Sequence, residues 1–173
     1  MALGHVADGR DLLLAELQTL LGLERRLEGV LPLWASQAYD VQTRHGIERH
    51  AAETRQHVLN LETALRVLGA EPEALPSPGF EGLEDRHARD RESLVNASRD
   101  DLSDLVLLAH TARVEHLEIA EYEVAAQTAE ILAEGDVVDL LAANLEDERR
   151  MLDEGRAVSH RLTSALARAR VGA

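Results

Sequence analysis

"LLGLERRLEGVL", residues 20–31, decides how this chain folds. Leu20, Leu23, Leu27 and Leu31 recur at three- and four-residue intervals, so they lie along one side of a helix. Glu24 falls on the same stripe, one turn from Leu20 and Leu27. A buried carboxylate without a partner is costly, so a glutamate here must be paired, protonated or bound to a cation. The stretch predicts an amphipathic helix with a polar obligation in its core face.

Upstream the stripe continues through Leu17 and Leu13, giving helix A over about residues 9–39 with Asp8 as its cap. Pro32 is expected to kink that helix or relax its last turns. Asp40 caps helix B, about 41–68, whose stripe is Ile47, His50, Thr54, His57, Leu61, Leu65 and Leu68, and Gly69 stops it. "GAEPEALPSPGF", residues 69–80, then breaks the pattern with three prolines and two glycines. A short surface helix over about 80–96 follows, and its "EDRHARDRE" run, residues 84–92, reads as a solvated face. Ser98 or Asp100 starts helix C, about 100–133, with the stripe Leu105, Leu108, Ala112, Glu115, Ile119, Tyr122 and Ala126. Gly135 is expected to stop it, and Asp136 to cap helix D over about 137–169, with the stripe Leu141, Leu145, Glu148, Leu152, Ser159, Leu162 and Leu166. Short A–B and C–D connections make those pairs antiparallel, whereas a crossover of roughly 30 residues lets B and C run parallel. The fold class is all-α: one four-helix bundle domain spanning 1–173, its long B–C crossover carrying a short extra helix.

Composition fits this reading. Hydrophobic residues make up 45% and aromatics 2%, so the core is built from Leu, Val and Ala. The net charge of -14 argues against nucleic-acid and anionic-membrane partners, which require basic patches. There are no cysteines, so a metal site could not use thiolates. No apolar run approaches the ~18 residues that span a bilayer, and the N-terminus lacks a signal-peptide pattern, so a soluble cytoplasmic protein is expected.

The anomaly at Glu24 recurs. Helix C places Glu115 in its stripe and Glu118 at its edge, and helix D places Glu148 between Leu145 and Leu152. Helix B offers His50 and His57 on the stripe, with Glu53 beside them. Glu24 lies about as far before the A–B turn as Glu53 lies after it, so the two share a level in the bundle. Taken singly, such a glutamate reads as a boundary residue reaching water, and such a histidine as a hydrogen-bonded core residue. One acid on each of four helices at similar depth favours a metal, because clustered buried carboxylates repel one another. Carboxylates with imidazole suit iron or manganese, one or two ions, with zinc as a competitor. His110, His116 and Tyr122 read as packing residues.

At "ARVEHLEIAEY", residues 112–122, the chain resembles the YciF/YciE-type ferritin-like stress-protein family, long catalogued as a domain of unknown function. The third-helix motif of that family is carried here by Glu115, His116, Glu118, Ile119, Ala120 and Tyr122. Weaker matches are His50, Glu53 and Thr54 on helix B, Glu24 and Leu27 on helix A, and Leu145, Asp147 and Glu148 on helix D. The resemblance spans about residues 10–160 and implies a ferritin-like bundle, a metal centre and a homodimer. Glu24, Glu53, Glu115 and Glu148 are the implied ligands, with Glu118, His50 and His57 in reserve. Ferritin-like sites place Glu-x-x-His on two helices. This chain departs from that pattern, having Gln56 three residues after Glu53 and Met151 three after Glu148. Leu12, Leu14, Leu21 and Val30 add apolar surface to helix A off its stripe, which also suggests a dimer. The expected function is iron or manganese binding with a role in stress protection. The alternative is a non-catalytic dimeric scaffold or partner-binding protein with a decayed metal site. The residues fix neither a substrate nor a catalysed reaction.

Overall fold

The computed structural model describes residues 6–94 and 100–171, with side chains through residue 168. Among these described residues there are five helices: α1 (Gly9–Gln37), α2 (Val41–Val67), α3 (Pro78–Glu92), α4 (Asp100–Ile131) and α5 (Gly135–Val171). Ser98, proposed above as a start for the third long helix, and residues 95 and 96 of the short helix lie outside the described residues.

The helix starts follow from cap chemistry. Asp8 accepts hydrogen bonds from the Arg10 and Asp11 amides, each at 2.9 Å, and Asp40 does the same for Gln42 and Thr43 at 3.1 and 2.9 Å. Ser77 caps α3, with Pro78 in the first position where its missing N–H costs nothing. α1 continues through Pro32 to Gln37. Gly69 ends α2 with φ +72. At the end of α4 that left-handed position is taken by Ala133, φ 59, and not by a glycine; Gly135, read from sequence as the stop, is the first residue of α5.

The register of side-chain pairs gives the topology. From one end of the bundle to the other, Asp40 pairs with Arg161, Arg49 with Glu154, Glu53 with Arg150, His57 with Asp147 and Asn60 with Asn144. Residue numbers rise along α2 while they fall along α5, so these helices are antiparallel. Tyr122 meets Glu24, and Asp104 meets the Tyr39 and Asp40 amides, so α1 and α4 are antiparallel too. With tight α1–α2 and α4–α5 turns, α2 and α4 run parallel, as a long crossover requires. The crossover strap is bonded to α1 through Leu75 N–H to Gln18 O at 2.9 Å. α3 packs on α4 and buries Phe80 and His87, so the charged 84–92 run is not wholly solvated.

The stripes of α1 and α2 are buried as the periodicity predicts. α4 is rotated from its predicted face. Its buried line is Leu107, Thr111, Val114, Glu118, Tyr122, Ala125 and Ala129, with Glu115 alongside, whereas Leu105, Ala112, Ile119 and Ala126 are half-buried. Small residues on several sides of α4 blur its periodicity, and α3 covers part of a flank that a plain bundle would expose. Leu21 of α1 is fully buried, and Leu14 and Val30 pack against the core, so most of the off-stripe apolar surface on α1 is covered within the chain. Apolar packing falls into two clusters, one around Leu17, Leu61 and Leu141 and the other around Leu27, Ile47 and Leu107. A polar layer separates them. Among the described residues no helix is long and apolar enough to cross a membrane.

Candidate metal centre

That layer is built from four helices. α1 supplies Glu24, α4 supplies Glu115 and Glu118, and α5 supplies Glu148. α2 supplies both imidazoles: His50 and His57 are seven residues apart, two turns, and so share one face. All six are at most 2% exposed. Their ligand atoms form two groups, His50–Glu115–Glu118–Glu148 and Glu24–His57–Glu148, each within 4.8 Å, and Glu148 belongs to both. His57 Nδ1 lies 2.8 Å from Glu148 Oε1 and 3.2 Å from Glu24 Oε1. His50 Nε2 lies 3.5 Å from Glu115 Oε1 and 3.8 Å from Glu148 Oε2. α5 lacks the histidine of the ferritin-like pattern, but α2 compensates by giving one imidazole to each group.

Six of the seven residues singled out by sequence therefore converge, with Glu118 at the centre where the sequence placed it at an edge. Glu53 stands apart. At about 100° per residue it is rotated roughly 60° from His50 toward α5. There it accepts a hydrogen bond from Arg150 Nη2 at 2.7 Å and is 17% exposed. Its other oxygen, Oε2, faces His50 Nδ1 at 3.9 Å. Three residues that sequence reading did not place in the site also matter. Tyr122 donates its hydroxyl to Glu24 Oε1 at 2.5 Å, Asn144 donates to the Tyr122 oxygen at 3.0 Å, and Asp147 Oδ2 lies 3.3 Å from His57 Nε2. For Tyr122 the signal was available, since it follows Glu118 by four residues on one helix face.

The electrostatics follow from burial. Desolvation, together with the Glu148 charge, pushes Glu115 and Glu118 well above the usual carboxylate range. Desolvation also raises Glu24, against the hydrogen bond from His57. Burial opposes ionisation of Glu148 as well, but the His50 charge and the His57 hydrogen bond prevail and hold it at about 2. Burial would likewise depress His57, yet its hydrogen bonds to Glu148 and Glu24 hold its proton up to about 11. Without a cation, the layer is thus a Glu148 carboxylate beside the His57 imidazolium and a His50 ring whose proton Glu148 also holds up, with Glu115 and Glu118 pushed toward their neutral forms. Among the described residues, Glu24 Oε2, Glu115 Oε2 and both Glu118 oxygens have no hydrogen-bond partner. Orphaned carboxylate oxygens are rare in protein interiors, and here they face one another. Protons and the imidazolium charge of His50 and His57 stand where a divalent cation would satisfy the same ligand atoms.

Comparison with known proteins supports this architecture. The sequence profile of the family described as a domain of unknown function, DUF892, matches residues 8–167. No curated protein gives a significant match. Among solved structures, YcfI from Rhodopseudomonas palustris is 26% identical over 87% of this chain and 94% of its own, with a TM-score of 0.82. The E. coli stress protein YciF is 20% identical over 92% of this chain and 99% of its own, with a TM-score of 0.84. A protein from Xanthomonas campestris is 20% identical over 94% of this chain and 99% of its own, with a TM-score of 0.70. With an all-helical crossover bundle, a buried Glu/His layer at its middle, and a family match over nearly its full length, the chain belongs to the YciF-type ferritin-like family, DUF892.

Proposed function

We propose that this protein binds iron or manganese in its central layer and acts in stress protection in the cytoplasm. The observation that carries the reading is the pair of ligand groups sharing Glu148, in which buried carboxylate oxygens lack any donor. His50, Glu115, Glu118 and Glu148 would hold one ion, and Glu24, His57 and Glu148 a second. The oxygen-rich donor set with one imidazole per group suits iron and manganese, and admits zinc. Bound there, iron or manganese would supply one-electron chemistry inside a water-poor interior. The chain's own residues set the ligand geometry: Tyr122, steadied by Asn144, fixes the Glu24 carboxylate, and Asp147 fixes the His57 ring. The stress role is supported by the similarity to the E. coli stress protein.

The test is elemental analysis of protein purified without a chelating tag, followed by anaerobic titration of stripped protein with Mn2+ or Fe2+. Binding is expected, and Glu148→Gln should abolish most of it because Glu148 serves both groups. If neither native nor stripped protein takes up metal, the layer is a protonated core and the scaffold reading replaces this one. We also propose a homodimer. Exposed Leu33, Tyr39 and Val41 near the α1–α2 turn support that assembly.

A further inference from the structure

The six ligand side chains are sealed from solvent, so a cation needs a way in. Each imidazole turns one nitrogen to the core and the other to the α2–α5 margin. His57 Nε2 faces Asp147 Oδ2 at 3.3 Å, and His50 Nδ1 faces Glu53 Oε2 at 3.9 Å. Asp147 and Glu53 are part-exposed, and each splits its two oxygens the same way. One oxygen points inward to an imidazole, and the other points outward to the Arg150 guanidinium, with Arg49 Nε a more distant second cation 3.6 Å from Glu53 Oε1. Arg150 Nη1 reaches Asp147 Oδ1 at 2.6 Å, and Arg150 Nη2 reaches Glu53 Oε1 at 2.7 Å. Among the described residues, the buried His50 Nδ1 and Glu53 Oε2 have no hydrogen-bond partner.

We propose that Glu53 and Asp147 form an outer transit site for a divalent cation, and that Arg150 closes it as a tethered stand-in for that cation. The inference rests on the metal-binding reading above. Two carboxylates around one guanidinium have the charge and the oxygens to receive a divalent cation in its place. The Arg150 side chain is 40% exposed and sits on α5 at the surface, so it can swing into water without disturbing the core. An incoming ion then exchanges the outer oxygens for the inner ones and passes to the imidazoles. This also explains why Glu53 is spaced from His50 like a ligand yet stands at the rim.

A latch alters entry and exit together, whereas a residue that merely orients ligands alters affinity. The experiment follows Co2+ uptake by stripped protein in a stopped-flow absorbance measurement, and Co2+ release into excess chelator. Arg150→Gln should speed both about tenfold with the binding stoichiometry unchanged, and Arg150→Lys, which keeps the charge on a single-point contact, should fall between. The Glu53→Gln, Asp147→Asn double variant should slow uptake about tenfold. Melting curves taken without metal verify that each variant is folded. Equal rates in wild type and Arg150→Gln, or a loss of affinity without a change in uptake rate, overturn the transit site while leaving the metal centre intact. If wild type takes up no Co2+ at all, the metal reading fails and the transit site with it.

Discussion

His110 is buried with its ring 4.6 Å from Trp34 and stacked at 4.1 Å on His87. Burial first, then the neighbouring His87 and Arg113, depress its pKa to about 3, with Asp90 opposing. The folded state therefore holds this imidazole neutral, while the unfolded chain protonates it near its ordinary value of about 6.5. The stabilisation is present above pH 6.5 and is withdrawn as pH falls toward 3, because there the unfolded state binds the extra proton. Between pH 7 and 5 this one group withdraws about 2 kcal/mol, or roughly 4–8 °C of melting temperature for a chain of this size. His110→Phe, which keeps the ring stack, should flatten that part of the pH dependence in melts at the two pH values. An equal drop in both proteins would show that the stack is not the sensor. Sequence could place His110 in the core but could not pair it with His87, whose approach depends on a crossover helix with no apolar stripe of its own. Asp104 was illegible for a similar reason. Its carboxylate clamps two amides 64 and 65 residues away, a contact with no local periodicity.

Helices α1 and α2 were legible in detail because Leu and Ile mark one face and leave the others charged. α4 was legible as a helix but not in its facing, because alanines and leucines occupy several of its sides, and Glu118 rather than Ile119 points inward. Helix ends were readable where an aspartate caps and less so where a loop imposes the turn. Ala133 holds a left-handed conformation that costs a non-glycine residue about 1 kcal/mol. Ala133→Gly should raise stability by about 0.5–1 kcal/mol in urea unfolding, and a loss would mean the α4–α5 turn relaxes without strain. Gly22 makes the opposite demand. A Cβ there would lie 1.8 Å from the Leu75 carbonyl oxygen, where the crossover strap crosses α1. Backbone cannot retract as a flexible side chain can, so Gly22→Ala should cost about 2–3 kcal/mol. A substitution cost below 0.5 kcal/mol would show that the strap lifts freely from α1.

Two apolar clusters hold the bundle together, and the layer between them carries more acid than imidazole. The exposed Leu33, Tyr39 and Val41 lie at one end, away from that layer, so assembly and metal binding should be separable. Light scattering at micromolar concentration is expected to give twice the 19.0 kDa chain mass, with or without metal. A monomer mass would remove the dimer and leave the site untouched. Stability couples the site to the fold more directly. Burial pushes Glu115 and Glu118 toward their neutral forms against their ordinary ionisation, and a cation that bound only the folded chain would relieve that conflict by displacing their protons. At a hundredfold excess over the dissociation constant, mass action contributes about 2.7 kcal/mol, or roughly 5–10 °C in melting temperature. Glu24→Gln should lose most of this metal-dependent rise, since an amide brings no charge to balance the cation. The same change should leave the metal-free protein as stable or more so, because it removes one buried carboxylate from a crowd while keeping an acceptor for the Tyr122 hydroxyl. The measurement is four melting curves, wild type and Glu24→Gln, each stripped and each with Mn2+. Equal metal-induced shifts in both proteins would take Glu24 out of the ligand set. A shift in neither would leave the layer a purely structural feature held by protons.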